Sequence, residues 1–241
     1  MRALILFAVY CLDQVAISQD DQERRKWRDF VEVLTPVCKA YCTEKGFDVC
    51  TESIQVHGGY GYCKEYMVEQ FARDSKIATL FEGTNGIQAL DLLGRKVRMR
   101  GGEAFRNLMT KMKETIRSLP EISELTDYTA DVVQAVSALE DLTAFMLERT
   151  SAEEAYLSYS WASAYLDIFG DITLAWLFLW QAAVAHEQVE QNSSEAAFYE
   201  SKMSTARFYI GSFLPVTHGK VAAIKQADKA FLEMGEALFS E

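Results

Sequence analysis

Between Gln55 and Lys96 the chain reads QVHGGYGYCKEYMVEQFARDSKIATLFEGTNGIQALDLLGRK, and two short stretches of it carry residue types that can do chemistry. In the first, Gly58, Gly59 and Gly61 lack Cβ atoms, so the backbone can turn sharply and a bulky anionic ligand can approach it closely. Gln55, just ahead, adds an amide that both donates and accepts. Taken alone, GGxG at a helix end is more simply a C-cap and a tight turn. In the second stretch, FEGTN, Glu82 stands between Phe81 and Gly83, immediately before a helix expected to start near Thr84. A carboxylate beside an aromatic ring, where counter-charges are few, is expected to be desolvated. Desolvation raises its pKa towards the working range of a general base. An acidic residue at this position also has a plain explanation in the helix macrodipole, and Thr84 is placed to cap the helix.

The elements that position these stretches are helical. Only three prolines and thirteen glycines punctuate 241 residues, and apolar residues recur every three to four positions over long segments. Helices are expected at about 1–18, 22–44 and 46–57, then a turn at 58–61. A helix near 65–77, a loop near 79–83 and a helix at 84–98 follow. Gly101-Gly102 makes a natural break, after which helices are expected at about 103–118, 127–149, 152–191, 195–213 and 218–239. The fold class is all-α, with one helical bundle over 1–100 and a second over 103–241. Phe105, Leu108, Met112, Ile116 and Leu119 form one apolar stripe, and Val132, Val136, Leu139 and Met146 another; both read as core.

Charge separates the two halves. Residues 1–101 hold fourteen Lys/Arg against fourteen Asp/Glu, and residues 102–241 hold ten against twenty-one, so the second half carries the whole net charge of −11. That balance argues against a nucleic-acid partner, which requires a clustered positive surface. The basic run Arg24, Arg25, Lys26 and Arg28 is flanked by acids and reads as a solvated helix face.

Met1-Arg2 followed by ALILFAVYCL resembles the opening of a signal peptide, but no small-x-small site follows and the pattern continues into acidic SQDDQE. A buried helix is expected there. The run from Thr173 to Ala185, with Trp176 and Trp180 one turn apart, is likewise expected to be a core helix. Both runs fall short of the roughly 20 apolar residues that span a bilayer, so no membrane partner is expected. The cysteines Cys11, Cys38, Cys42, Cys50 and Cys63 lack paired Cys-x-x-Cys spacing, and no metal site is expected. Cys38 and Cys42, one turn apart, suit a buried helix face in a reducing compartment.

In order along the chain, Gln55 with Gly58, Gly59 and Gly61, then Arg73-Asp74, then Glu82-Gly83-Thr84 resemble the C-terminal helical domain of flavin-dependent acyl-CoA dehydrogenases. The resemblance implies that Glu82 removes the pro-R α-proton of an acyl-CoA thioester while the β-hydride passes to FAD. It also implies that Glu82 and Gly83 meet the substrate, the Glu82 amide supporting the charge that develops on the thioester carbonyl. By the same resemblance, Gln55, Val56, His57, Gly58 and Gly59 contact FAD held mainly by a neighbouring subunit, and Thr84, Asn85 and Gly86 contact it near the catalytic loop. Arg73-Asp74 is given a structural role, ordering its helix.

Partners implied in this way are the acyl-CoA substrate, an electron-transfer acceptor and further copies of the chain, in a homodimer or a dimer of dimers. The compartment expected is the cytoplasm, or the mitochondrial matrix in a eukaryote. Phe81 replaces a tyrosine common in the family, and Gly86 stands where shorter members commonly carry glutamine, so a side-chain contact to flavin is lost there.

Residues from about 103 onward, including FYESKMSTARFYIGSFLP with Lys202, Ala206, Arg207 and Pro215, resemble the extra helical segment of a longer subgroup. Packing and subunit contacts are expected of it, because His186 and His218 lack acid partners at helical spacing. The family's N-terminal helical and β-barrel domains have no counterpart here. The chain is therefore read as part of a longer enzyme, expected neither to hold FAD tightly nor to turn over alone. A noncatalytic helical assembly module and an acyl-CoA oxidase are the competing readings.

Overall fold

The structure is a computed structural model that describes residues 1–150, 155–191, 194–228 and 230. Among them every regular element is helical, as the fold class requires: α1 Arg2–Ile17, α2 Asp21–Val56, α3 Val68–Ile77, α4 Asn85–Gly94, α5 Met99–Ser118, α6 Thr126–Thr150, α7 Ala155–Ser160, α8 Ala162–Glu190, α9 Ala196–Ser212 and α10 Leu214–Gln226. Two compact units divide within α5, at Thr110 and Lys111.

In the first unit α2 is the spine. Asp20 caps it, accepting from the Gln22 N–H at 3.1 Å, and Asp21 and Glu23 in the first turn complement the dipole. Separate helices at 22–44 and 46–57 were expected, yet α2 runs unbroken through Pro36 and Gly46. Glycine inside a helix costs about 1 kcal/mol. Phe30, Val33, Leu34 and Val37 are fully buried, each worth about 1.5–3 kcal/mol, so packing outweighs the local penalty. The α1 helix buries only the stripe Leu4, Phe7 and Cys11 against this spine, while Leu6, Leu12 and Ile17 stay exposed. The buried helix expected there is thus buried on one face.

The expected helix at 84–98 is α4 followed by a 3₁₀ turn at Lys96–Arg98, which buries Val97 and the stem of Lys96 together. Lys96 pairs with Glu32, and Arg100 with the buried Asp29. Residues ascending beyond α4 thus meet residues descending α2, and the two helices run antiparallel. At the glycine pair, Arg100, Gly101 and Gly102 all have left-handed φ, of 52°, 64° and 86°. A sharp turn there precedes the long helical part of α5.

In the second unit α8 is the buried element. By length and composition it could cross a membrane, but 78% of its apolar window is buried within the protein, in agreement with a core helix. Trp176 is fully buried and its ring lies 6.0 Å from that of Trp180. Both expected stripes face inward, although Leu119 is only half-buried.

The helix expected at 152–191 is two helices separated at Trp161, and its residues 152–154 lie outside the described residues. The short α7 is tied to α6 by the Ser158 hydroxyl, which donates to the Met146 carbonyl at 3.1 Å. The helix expected at 218–239 starts earlier, at Leu214, with Pro215 in its first turn where a missing N–H costs nothing. It ends at Gln226, and residues 229 and 231–239 lie outside the described residues.

Candidate functional site

The first unit holds both stretches singled out by the sequence. The end of α2 places Gln55 and Val56 in solvent, and His57 closes the helix with its Nδ1 2.8 Å from the Ser53 carbonyl oxygen. Gly58 follows with φ +60°, opening a 3₁₀ turn over Gly58–Tyr62. Tyr66 packs beside the turn, its ring centre 5.4 Å from that of Tyr60 and 6.4 Å from that of His57, tilted to both.

The three glycines are not equivalent. A Cβ on Gly61 would lie 2.4 Å from the Ile54 carbonyl oxygen, so Gly61 lets the turn pack back on α2. Nothing lies within 4 Å of a Cβ placed on Gly58 or Gly59. Gly58 is required by its φ, but no contact among the described residues explains Gly59. Backbone at Gly58 and Gly59 is therefore open to an approaching group.

Helix α3 leads from this turn to Glu82. It is laid on α2 by buried Ala72 and by Lys76, whose ammonium sits 4.4 Å from the centre of the Phe47 ring. Arg73 pairs with Glu69 at 3.0 Å and Gln70 donates to Asp74 at 3.4 Å, so both members of the Arg-Asp pair make polar contacts one turn back along α3. The loop after α3 winds tightly. The N–H groups of Leu80 and Phe81 donate to the Ile77 carbonyl at 3.0 and 3.2 Å, and that of Asn85 returns to the Thr79 carbonyl at 3.1 Å.

Glu82 sits at the crest with φ +57°, followed by Gly83 at +87°. Two successive left-handed residues are costly for a non-glycine. The N–H of Glu82 donates to nothing among the described residues. The desolvated setting expected of this carboxylate is not built by the described residues: Glu82 is exposed and Phe81 beside it is half exposed. The loop is a crest on one unit, and no element of that unit covers it.

Thr84 caps α4 as expected, its Oγ1 accepting from the Ile87 N–H at 3.3 Å. Gly86 is exposed in the first turn, open on the side where a Cβ would point except for Thr84 Oγ1 at 3.9 Å. Asn85 differs from the other expected cofactor contacts. Its Oδ1 accepts from Lys39 Nζ and Thr43 Oγ1, both at 3.1 Å. Its Nδ2 donates to the Ala40 carbonyl at 3.3 Å and to Glu44 Oε2 at 2.9 Å. The side chain is committed to α2. Sequence reasoning missed Lys39, Thr43 and Glu44 as its partners, since nothing in their spacing on a different helix points to residue 85.

Exposed apolar side chains gather along this segment, among them Val56, Tyr62, Met67, Leu80, Phe81 and Ile87. No group of three metal-ligating residues occurs among the described residues. In the second unit His186 and His218 are half-buried, and its main polar cluster joins α8, α9 and α10 through Asp171.

Residues 1–97 match the family model described as acyl-CoA dehydrogenase, C-terminal domain, and residues 108–235 match the one described as acetyl-CoA dehydrogenase C-terminal like. A butyryl-CoA dehydrogenase of Syntrophomonas wolfei is 30% identical over 240 residues, which cover 98% of this chain and 39% of that one. The caffeyl-CoA reductase-Etf complex subunit CarC of Acetobacterium woodii is 41% identical over 58 residues, 24% of this chain and 15% of that one. Among solved structures, an acyl-CoA dehydrogenase from Bacillus anthracis, complexed with FAD, superposes with a TM-score of 0.64 at 18% identity, over 98% of this chain and 40% of that one. The chain thus spans about two fifths of the length of its long relatives. With one family model on the helices that carry Glu82 and the other over most of the remainder, the chain belongs to the acyl-CoA dehydrogenase family, whose C-terminal helical domains it matches.

Proposed function

We propose that this chain supplies the base for FAD-dependent α,β-dehydrogenation of an acyl-CoA thioester, with Glu82 taking the α-proton. The carrying observation is the left-handed Glu82-Gly83 turn, where one exposed residue offers both a carboxylate and an N–H that donates to nothing among the described residues. The carboxylate accepts the proton, and the Glu82 N–H stabilises the negative charge that grows on the thioester oxygen as the proton leaves. FAD, when bound, supplies the two-electron acceptor for the β-hydride.

Residues fit that cofactor at two places. The open backbone at Gly58 and Gly59, beside exposed Gln55, Val56 and His57, is a cradle that no side chain of the first unit fills. Thr84 and Gly86 offer a second contact at the start of α4, where the helix N-terminus favours anionic groups. The exposed apolar side chains between Val56 and Ile87 support a complete site that further protein covers, including another copy of the chain, which would exclude water from Glu82. The likeness to CarC supports a protein electron acceptor of the kind that complex is named for. The reducing interior of a cell is the compartment proposed.

Glu82→Gln in a complete, flavin-loaded protein containing this chain tests the reading. Flavin content should be retained and exchange of the substrate α-proton lost. Wild-type exchange in that variant would instead leave the chain as an assembly module, and rapid reoxidation of the reduced flavin by oxygen would mark an oxidase.

A further inference from the structure

We propose that Asn85 is a positioning residue: its amide pegs the start of α4 to α2 and, together with Gln88, holds the Glu82-Gly83 turn in its left-handed form. The inference rests on the reading of Glu82 as the base. Asn85 was expected to touch cofactor, but all three of its N–H bonds are spent within the chain, two on α2 and one on the Thr79 carbonyl. Its Oδ1 accepts from Lys39 Nζ and lies within reach of the Thr43 hydroxyl, whose single proton also has the Lys39 carbonyl at 2.8 Å.

The consequence for Glu82 is geometric. Thr79 is buried, so the Asn85 N–H closes the loop around a fixed point and leaves residues 80–84 to bridge it. From the next turn of α4, Gln88 Nε2 donates to the Glu82 carbonyl at 3.4 Å. The same nitrogen lies 2.8 Å from where a Cβ on Gly83 would be, so Gln88 fills the space that glycine leaves. A left-handed glutamate persists only where its surroundings over-determine it. Here the peg on one side and the strap on the other do so. Lys39 and Glu44, five residues apart on α2, hold opposite ends of the Asn85 amide and fix its orientation.

Asn85→Ala and Gln88→Met, made in the complete flavin-loaded protein, test the assignment beside the Glu82→Gln control. Both variants should keep wild-type flavin content and KM for acyl-CoA. Asn85→Ala should slow α-proton exchange on the order of 10²-fold, the effect of displacing a reacting group by about 1 Å, and Gln88→Met less. Backbone hydrogen exchange across residues 79–88 should accelerate in Asn85→Ala while α2 is unchanged. Loss of flavin in step with activity would make Asn85 a cofactor contact and overturn the proposal, as would wild-type turnover with wild-type hydrogen exchange. Should Asn85→Ala fail to fold, Gln88→Met decides: an unaltered rate overturns the strap. An inert Glu82→Gln variant secures the base separately, so a failure of the peg cannot be mistaken for a failure of the base.

Discussion

Thr217 of α10 donates its hydroxyl proton to the Asp171 carboxylate of α8 at 2.9 Å, and Lys220, one turn further along α10, reaches the same carboxylate at 2.9 Å. Tyr209 of α9 donates to the Asp171 backbone carbonyl at 3.3 Å, and Lys220 also meets Asp167. Three helices are thereby tied to one buried acid. Asp171→Ala should remove hydrogen bonds to a charged group, each worth about 1.5–3 kcal/mol, and leave Lys220 with Asp167 alone. Asp171→Asn should cost less. Urea denaturation followed by tryptophan fluorescence would measure both, the four tryptophans including Trp176 at the centre of the same unit.

The same cluster predicts an alkaline transition. Burial pulls the Lys220 ammonium down, but hydrogen bonds and charge from Asp167 and Asp171 outweigh it and set its pKa above the ordinary 10.5. A cation whose pKa is raised by folding adds stability that is complete below the unfolded value and lost as pH climbs through the folded one. The stability advantage of wild type over Lys220→Met should be constant up to about pH 10 and shrink above it. An advantage that grows with alkalinity would contradict the pairing.

Gly59 and Gly61 should respond oppositely to alanine. Gly61→Ala forces a Cβ against the Ile54 carbonyl oxygen at 2.4 Å, a backbone contact that cannot yield cheaply, and should destabilise by about 1–3 kcal/mol. Gly59→Ala meets nothing within 4 Å and should leave the melting temperature within a few degrees of wild type. In the complete protein the same Gly59→Ala change should weaken FAD retention, measured by absorbance of the filtered protein.

Cysteine labelling should be strongly selective. Cys63 is exposed, whereas burial, aided by neighbouring Cys42 and Cys11, pushes the Cys38 thiol up to about 12. At about pH 8 the Cys38 thiolate is therefore scarce, and iodoacetamide should modify Cys63 long before Cys38. Peptide mass mapping over time reads this directly, and early labelling of Cys38 would contradict its burial.

Thr84→Ala removes the oxygen that accepts the Ile87 N–H, and should cost about 1 kcal/mol, the usual worth of an N-cap. Because that hydrogen bond lies beside the Glu82 turn, hydrogen exchange should quicken over the first turn of α4 and not in α2.

Periodicity and composition were enough to determine the all-α class, the two core stripes and the core role of α8, because an apolar repeat of three to four residues has few other ways to bury itself. The motif residues around Glu82 were legible for the same local reason, glycine, carboxylate and cap lying within a few positions. Tertiary structure decided the rest. It carried α2 through Gly46, because burial of Phe30, Leu34 and their neighbours exceeds a local backbone penalty. It separated Gly61, needed for packing, from Gly59, whose missing Cβ would meet nothing among the described residues. It left Glu82 exposed where its neighbour in sequence suggested a dry site, since burial depends on what covers a residue and not on the side chain next to it. And it turned Asn85 towards Lys39, Thr43 and Glu44, partners more than forty positions away that only the antiparallel packing of α2 and α4 could bring within hydrogen-bond reach.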